Sequence, residues 1–352
     1  SYIGYGVVTS DYYYDTTGYY HHIRKVNWIK KGIWDEPSGS IVLKTLTDIT
    51  KYPDYVIKLK ELLGMNTEKT PSKVLQPYDI KDATKDLFMS TEDFKEYLNL
   101  LQKKKNIVLQ GPPGVGKTFV SKRLAYCLLG QKDDSKVEMI QFHQSYAYED
   151  FIQGYRPDLE GDGGFYLSTG IFYNICKRAE NNPKSKFVLI IDEINRGNLS
   201  KIFGELLMLI ESDKRGQQLS LTYSPREKFS VPSNIYLIGT MNTADRSIAM
   251  VDYALRRRFS FISLMPQFNK RFEAALESAG FGKRIKKNIV DRINSLNEEI
   301  RSDKNNLGEG YQIGHSYFCP DGSKPYNKEW YNKKIKYEIE PLLKEYWFDE
   351  QD

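Results

Sequence analysis

A glycine-rich segment that also carries a lysine and a threonine is the part of the sequence best suited to chemistry. It reads G-P-P-G-V-G-K-T over 111–118, after an apolar run at 106–110 and before a stretch typical of a helix. Between a strand and a helix, the glycines allow backbone N–H groups to face a phosphate, and the helix N-terminus adds its positive dipole. We therefore expect a nucleoside triphosphate site, with Lys117 at the β- and γ-phosphates and Thr118 on Mg²⁺. The expected binding residues are Gly111, Pro112, Pro113, Gly114, Val115, Gly116, Lys117, Thr118 and Phe119.

Two adjacent carboxylates follow a second apolar run, which covers 187–191. A buried strand would deliver them to the carboxyl edge of a sheet, where open α/β sheets bind ligands. We expect Asp192 to hold Mg²⁺ through water and Glu193 to orient or deprotonate the attacking water. The alternative is a pair of surface acids that cap the next helix. A glutamate beside the aspartate favours hydrolysis over simple nucleotide binding.

A third strand pattern, at 234–240, leads to Asn242, which can position the same water. Three consecutive arginines, Arg256, Arg257 and Arg258, precede a further strand. Guanidinium groups stabilise the charge of phosphoryl transfer, so one of them is expected to act on the γ-phosphate of a neighbouring subunit. The alternative is a solvated basic helix end, which its dipole favours. For the set of three we favour the catalytic interpretation.

The composition is that of an ordinary soluble chain of 352 residues, 40% of them hydrophobic. Its 51 Lys and Arg against 46 Asp and Glu give a net charge of +5, too small by itself to indicate nucleic-acid binding. Three scattered cysteines favour a cytoplasmic location over a disulfide framework or a thiolate zinc site, and four histidines argue against a multi-histidine metal centre. No apolar run approaches the ~20 residues of a membrane span, and no secretory signal opens the chain. The chain starts at Ser1, and we interpret it as a fragment.

Three units are needed to position these residues. Residues 1–64 are rich in Tyr and Trp with strand patterns, and residues 65–89 suit a linker. Over 90–265 short apolar strands alternate with helical stretches, which predicts an α/β core with a mostly parallel sheet. Residues 266–352 are predicted to be helical. The individual predictions are strands at 3–9 and 41–46, a helix that begins at Ser90, hairpins at 158–170 and 217–231, and helices at 268–279, 283–303 and 327–347.

Three motifs together resemble the McrB family of AAA+ GTPases, the motors of modification-dependent restriction systems. They are G-P-P-G-V-G-K-T at 111–118, I-D-E-I-N-R-G at 191–197 and G-T-M-N-T-A-D-R-S at 239–247, with further support from 142–157, 313–318 and 339–349. The resemblance implies an AAA+ P-loop NTPase core with a C-terminal helical lid. It also implies a homo-hexameric ring with nucleotide between subunits, GTP with Mg²⁺ as the substrate complex, and a McrC-like partner that carries the nuclease.

The resemblance also implies roles for individual residues. Asn242, Asp245 and Arg246 match the family signature that shapes the hydrolytic site, and Arg256 or Arg257 would be the finger that acts in trans. His315 lies where the lid would approach nucleotide, although a packed or capping histidine is an equal alternative. The spacing of Asn242 and Asp245 does not amount to an N-K-x-D guanine-reading motif, because the lysine is missing.

The N-terminal residues resemble the last part of an EVE domain, a PUA-like barrel. The stretches that carry this resemblance are 2–9, 12–15, 26–28 and 44–49. EVE domains in related proteins read modified bases, so DNA carrying modified bases is an expected partner. Aromatic rings hold a flipped base by stacking, but small barrels also use such rings for core packing.

Two other functions compete with the restriction motor. A MoxR-like ATP-dependent remodelling chaperone would share the fold, and the preferred base would separate the two. A modified-DNA binding module whose nucleotide only holds an assembly together is the third hypothesis, and intact Lys117, Asp192 and Glu193 argue against it. No spaced set of nuclease residues is visible, so DNA cleavage is not assigned to this chain.

Overall fold

The computed structural model describes residues 2–17, 21–34, 53–65, 75–157, 164–245 and 256–348. They belong to two compact units, Ser1–Val74 and Leu75–Asp352. No helix among the described residues is long and apolar enough to cross a membrane. The strand predicted at 41–46 and the predicted site residue Arg246 lie outside the described residues.

Short antiparallel strand pairs and one helix make up the described part of the first unit. Its elements are β1 Tyr2–Val8, β2 Tyr13–Tyr14, β3 His22–Ile23, β4 Val26–Trp34 and α1 Pro53–Leu62. β1 pairs with β4 and β2 with β3, which confirms the strand predicted at 3–9. Aromatic rings are exposed here: Tyr12 stacks on His22 and its Oη lies 2.7 Å from His22 Nδ1.

A five-stranded parallel sheet lies at the centre of the second unit, as the sequence predicted. The strands of this unit are β5 Asn106–Gly111, β6 Val137–Gln141, β7 Gln153–Pro157, β8 Phe165–Thr169, β9 Phe187–Asp192, β10 Gln218–Leu221, β11 Ser224–Ser230, β12 Ile235–Asn242 and β13 Ser260–Ser263. The sheet order is β13-β5-β12-β9-β6. Asn242 of β12 lies opposite Gly111 of β5, and Gly239 of β12 opposite Ile191 of β9. The carboxyl ends of these three strands therefore meet at one edge.

Helices cover both faces of the sheet. They are α2 Ile80–Thr84, α3 Thr91–Lys104, α4 Lys117–Leu129, α5 Tyr148–Phe151, α6 Ile171–Asn181 and α7 Leu199–Phe203. Side chains alternate along β9, so Leu189 and Ile191 pack in the core with α5, α6 and α7, whereas Val188 and Ile190 pack with α2, α3 and α4. All four side chains are fully buried. The continuous apolar run at 187–191 is what a strand covered on both faces requires.

Residues 75–89, part of the segment expected to be a linker, contribute to one of these cores. Ala83 and Leu87 are buried in it. α3 follows, and Ser90 Oγ accepts a hydrogen bond from the backbone N–H of Asp93 at 3.0 Å. This contact confirms the predicted helix start, because a side-chain acceptor satisfies an N–H group that has no partner in the first turn.

The hairpin predicted at 217–231 is confirmed, whereas the one predicted at 158–170 begins earlier, at residue 153. β7 pairs with β8, and β10 pairs with β11, each antiparallel. The tip of the first hairpin, 158–163, lies outside the described residues.

The chain after β13 is helical, as predicted. Its elements are α8 Lys270–Ala279, α9 Lys283–Ser302, α10 Lys328–Lys334, a π-helical turn Ile335–Ile339 and α11 Glu340–Tyr346. Ile289, Ile293 and Ile300 lie on one face of α9 and are buried against Phe272 and Phe318 in a separate core. These helices form a lid whose turn at 315–318 reaches the sheet edge described below.

Candidate nucleotide site

The segment 111–116 forms a tight loop between β5 and α4, as its sequence predicted. Gly114 and Gly116 have φ values of 77° and 78°, in the left-handed region that glycine adopts without strain. Gly116 caps α4 and offers no side chain there, so the first N–H groups of the helix remain available to an anion.

Lys117 stands at the start of α4 and folds back over this loop. Its Nζ donates hydrogen bonds of 2.9 Å to the carbonyl oxygens of Gly111 and Pro112. Burial lowers the pKa of Lys117 to about 8, and the nearby carboxylates of Glu193 and Asp192 oppose that shift. The ammonium is therefore a desolvated cation next to the loop, where an incoming phosphate would be a stronger partner than two carbonyls.

Thr118 and Asp192 meet across the sheet edge. Thr118 Oγ1 donates to Asp192 Oδ1 at 3.0 Å, and Thr240 Oγ1 donates to the same oxygen. A hydroxyl and a carboxylate suit Mg²⁺, which takes oxygen ligands and keeps several waters beside substrate phosphates. No group of three or more His, Cys, Asp and Glu side chains among the described residues could hold a metal alone.

Thr240 is a residue to which the sequence patterns assigned no role. It is 1% exposed on β12, and besides contacting Asp192 its Oγ1 accepts a hydrogen bond of 3.3 Å from the N–H of Glu193. One hydroxyl therefore links both carboxylate residues to the central strand. The sequence does offer one indication of this role. Thr240 comes near the end of a buried apolar strand, where a polar side chain must have a hydrogen-bond partner.

Glu193 follows β9 in an unusual backbone conformation. Its φ of 50° and ψ of 47° lie in the left-handed region, which is uncommon for residues with a side chain. Burial raises the pKa of its carboxyl group, Arg196 and Lys117 oppose the rise, and Asp192 adds to it. Arg196 Nε lies 3.6 Å from Glu193 Oε2. A carboxylate with a raised pKa close to Lys117 of the glycine-rich loop is suited to accept a proton.

The segment after β12 connects the phosphate loop with the lid. The N–H of Thr243 donates to the carbonyl of Gly111 at 3.1 Å, and Thr243 Oγ1 donates to the carbonyl of Gly310 at 2.9 Å. Asn242 Oδ1 accepts a hydrogen bond of 3.3 Å from the N–H of Ala244. Asp245 closes this turn, and its Oδ2 lies 2.9 Å from Arg196 Nη2.

The three arginines differ in their surroundings. Arg258 is 11% exposed, and its Nε lies 3.0 Å from Glu211 Oε1. Arg257 is 74% exposed with a longer contact of 3.4 Å to the same oxygen, and Arg256 is exposed as well. The carbonyl of Arg258 accepts from the side chain of Asn106, at the start of β5. The run therefore lies by the edge opposite the phosphate loop, away from the predicted site residues of its own chain.

His315 is buried in the lid turn. It is 9% exposed, with its ring edge-on to Phe88 and Phe272, and its Nδ1 accepts a hydrogen bond of 3.1 Å from the N–H of Gln267. Burial lowers the pKa of His315 to about 4. The imidazole is therefore neutral near pH 7. His315 also lines the cavity described next, so its role near nucleotide stays a prediction.

A cavity of about 1220 Å³ opens beside the phosphate loop. Its lining comes from the segment before α3, from α4, from α8 and from the lid turn, and includes Phe88, Gly116, Phe119, Ala275 and His315. The Phe119 ring is 46% exposed, with the Arg123 guanidinium 3.2 Å from its centroid. A mostly apolar cleft of this size next to a phosphate site can hold a nucleoside.

Two family models match the part of the chain that carries this geometry. An AAA domain of the dynein-related subfamily matches residues 106–259, and the alpha-helical lid domain of McrB matches residues 288–352. The chain is also 51% identical over 288 residues to the type IV methyl-directed restriction enzyme EcoKMcrB subunit of Escherichia coli strain K12. The second unit carries an AAA domain followed by a McrB-type lid domain. The comparison confirms the AAA+ core and the helical lid expected from its motifs.

The curated relatives are matched over only part of their length. The match to the Escherichia coli subunit covers 80% of this chain and 62% of the relative. The type II restriction enzyme BsuMI component YdiS of Bacillus subtilis strain 168 is 28% identical over 224 residues, which cover 52% of this chain and 65% of that protein. The chain thus spans less than two thirds of each of these relatives. Residues 1–53 match a domain of unknown function, DUF8426, rather than an EVE domain.

Proposed function

We propose that this chain is the GTP-hydrolysing motor subunit of a McrBC-like modification-dependent restriction system. The observation that carries the hydrolytic part is the meeting of Lys117, the Thr118–Asp192 oxygen pair and Glu193 at one sheet edge. A site that only held nucleotide would need Lys117 and the oxygen pair of Thr118 and Asp192. It would not need a partly buried glutamate with a raised pKa beside them.

Each of these residues has a defined part in the hydrolysis of a nucleoside triphosphate. The loop N–H groups and Lys117 would bind the phosphates, and Thr118 and Asp192 would hold Mg²⁺, whose charge would stabilise the phosphate oxygens. Glu193 accepts a proton from the attacking water, and we assign Asn242 to orienting that water. Because burial raises the pKa of Glu193, the carboxylate is a stronger base than an exposed one.

The arginine run supports a ring, which we propose to be a homo-hexamer. Arg258 contacts Asn106 at the start of β5, and the phosphate loop begins at its end, five residues away. At ~3.3 Å per residue these ends are ~16 Å apart. Arg256 and Arg257 are therefore assigned to the phosphates of a neighbouring subunit, and Glu211 holds Arg258 in its own chain.

DNA and a nuclease complete the proposed system. The Escherichia coli relative is named as a subunit of a methyl-directed restriction enzyme, and we infer a McrC-like nuclease partner and DNA with modified bases as the substrate. In the first unit, Tyr12, Tyr14 and Trp28 are 52%, 59% and 43% exposed. Exposed rings can stack on bases, which supports a base-reading role for this unit.

Phosphate release from GTP and from ATP, each with Mg²⁺, tests the proposal directly. We expect GTP turnover well above ATP turnover, and its loss in Glu193→Gln. Glu96→Gln is the matched control, because Glu96 is an exposed glutamate of α3. Faster turnover of ATP would favour a MoxR-like remodelling chaperone. Undiminished turnover in Glu193→Gln would remove the assignment of the base.

A further inference from the structure

Arg196 lies between two carboxylates of the candidate site. Its Nε is 3.6 Å from Glu193 Oε2, and its Nη2 is 2.9 Å from Asp245 Oδ2. The side chains of Glu193 and Asp245 are 20% and 18% exposed, whereas that of Arg196 is 46% exposed. One guanidinium therefore joins the end of β9 to the turn that follows β12.

Glu193 needs such a partner more than most glutamates do. It stands in the left-handed backbone region, and its Oε2 is buried without a hydrogen-bond partner among the described residues. The charged groups around it are Arg196, Lys117, Asp192 and Asp245. Arg196 contacts two members of this group, Glu193 and Asp245. The other cation, Lys117, is already hydrogen-bonded to the phosphate loop.

The two contacts of Arg196 differ in kind. At 2.9 Å the contact to Asp245 has the length of a charge-assisted hydrogen bond, whereas 3.6 Å to Glu193 is too long for one. The guanidinium is planar and rigid, so the strong contact at Nη2 fixes where Nε points. Arg196 also lies three residues after Glu193 on a single 3-10 turn, where side chains at i and i+3 eclipse.

We propose that Arg196 is a positioning residue that holds the Glu193 carboxylate for hydrolysis, and that Asp245 anchors Arg196 for this task. The proposal rests on the proposed role of Glu193 as the base. The long ion pair restricts the direction of the carboxylate and leaves its lone pairs available to water. Asp245 then acts through Arg196 and does not itself touch the substrate.

The test is a double-mutant cycle read as steady-state GTP hydrolysis with Mg²⁺. Arg196→Gln is expected to lower kcat by roughly 10- to 100-fold, a part of the 10²- to 10⁴-fold that a general base supplies. KM is expected to stay within about twofold, since the phosphate ligands are untouched. Asp245→Asn is expected to lower kcat in the wild-type background and to cost less than about twofold when Arg196→Gln is already present.

Two further variants separate positioning from general structure. Arg196→Lys is expected to recover part of kcat, because an ammonium can pair with one carboxylate and lacks the rigid fork that reaches both. Arg301→Gln is the matched control: Arg301 is 50% exposed and pairs with Glu298 three residues earlier in the lid. It is expected to leave kcat and KM unchanged.

Three results would overturn the inference. They are an unchanged kcat and KM in Arg196→Gln, a raised KM with an unchanged kcat in that variant, and full additivity of Arg196→Gln and Asp245→Asn. The outcome in Glu193→Gln keeps this failure distinct from that of the proposed function. If Glu193→Gln is inactive while Arg196→Gln is fully active, Glu193 stays the base and only the positioning role is lost.

Discussion

Gly314→Ala is the substitution that tests most sharply how the lid docks on the phosphate loop. A Cβ at Gly314 would lie 2.0 Å from the carbonyl carbon of Gly114, 2.2 Å from its oxygen and 2.4 Å from the oxygen of Pro113. All three are backbone atoms, so no side chain can rotate away. In the native chain the N–H of Gly314 donates to Pro113 at 3.1 Å, and the N–H of Ser316 donates to Gly114 at 2.9 Å.

The size of the effect follows from these distances. Ordinary carbon contacts begin at ~3.5 Å, so the lid turn would have to retreat by ~1.5 Å from a contact of 2.0 Å. That retreat would break both hydrogen bonds, at about 0.5–1.5 kcal/mol each. If the turn instead stays in place, overpacking costs a similar 1–3 kcal/mol. By either route we expect a loss of about 1–3 kcal/mol, since a mutant takes the less costly one.

Hydrogen exchange of the Ser316 amide is the assay that reports this contact. A loss of about 1–3 kcal/mol corresponds to roughly 5- to 150-fold faster exchange through local opening of the lid turn. Gly282→Ala is the control, because Gly282 belongs to the same lid, has φ of −65° and has no atom within 4 Å of the added Cβ. If both variants exchange at the native rate, the lid does not dock through this turn and the reasoning is refuted.

Three other substitutions give independent predictions. Thr240→Val removes the hydroxyl that binds Asp192, and we expect GTP hydrolysis to fall by ~10-fold or more; native turnover would contradict the role of that hydroxyl. Arg257→Ala should stop turnover and spare nucleotide binding, and mixing it with Glu193→Gln subunits should restore some activity, because finger and base then come from different chains; no recovery at any ratio would argue against a trans contact. Burial lowers the pKa of His315 to about 4, against 6.5 in the unfolded chain. Between these two pH values the unfolded chain binds a proton at this histidine that the folded chain does not bind. The free energy of unfolding should therefore fall by about 3 kcal/mol as the pH drops from 6.5 to 4. A His315→Gln variant should lack this contribution to the pH dependence of chemical unfolding, and an identical pH profile would contradict it.

The sequence by itself determined the local parts of the candidate site. The sequence predicted the parallel sheet, the loop 111–116 and the carboxylates Asp192 and Glu193. In the structure the loop and both carboxylates lie at one edge of that sheet. Each is a local pattern: a glycine spacing that only one backbone path satisfies, or an apolar run whose length and ends mark a buried strand. Parallel strands bring their carboxyl ends together without further information.

Only the tertiary structure decided which side chains meet across these elements. Arg196 and Asp245 are 49 residues apart, and the lid turn at Gly314 reaches the loop at Gly114 across 200 residues. The same holds for the arginine run, where Glu211 holds Arg258 and leaves Arg257 largely exposed. Such contacts depend on how helices and loops pack in three dimensions. No periodicity of one strand or helix encodes them, because the partner residue belongs to another element.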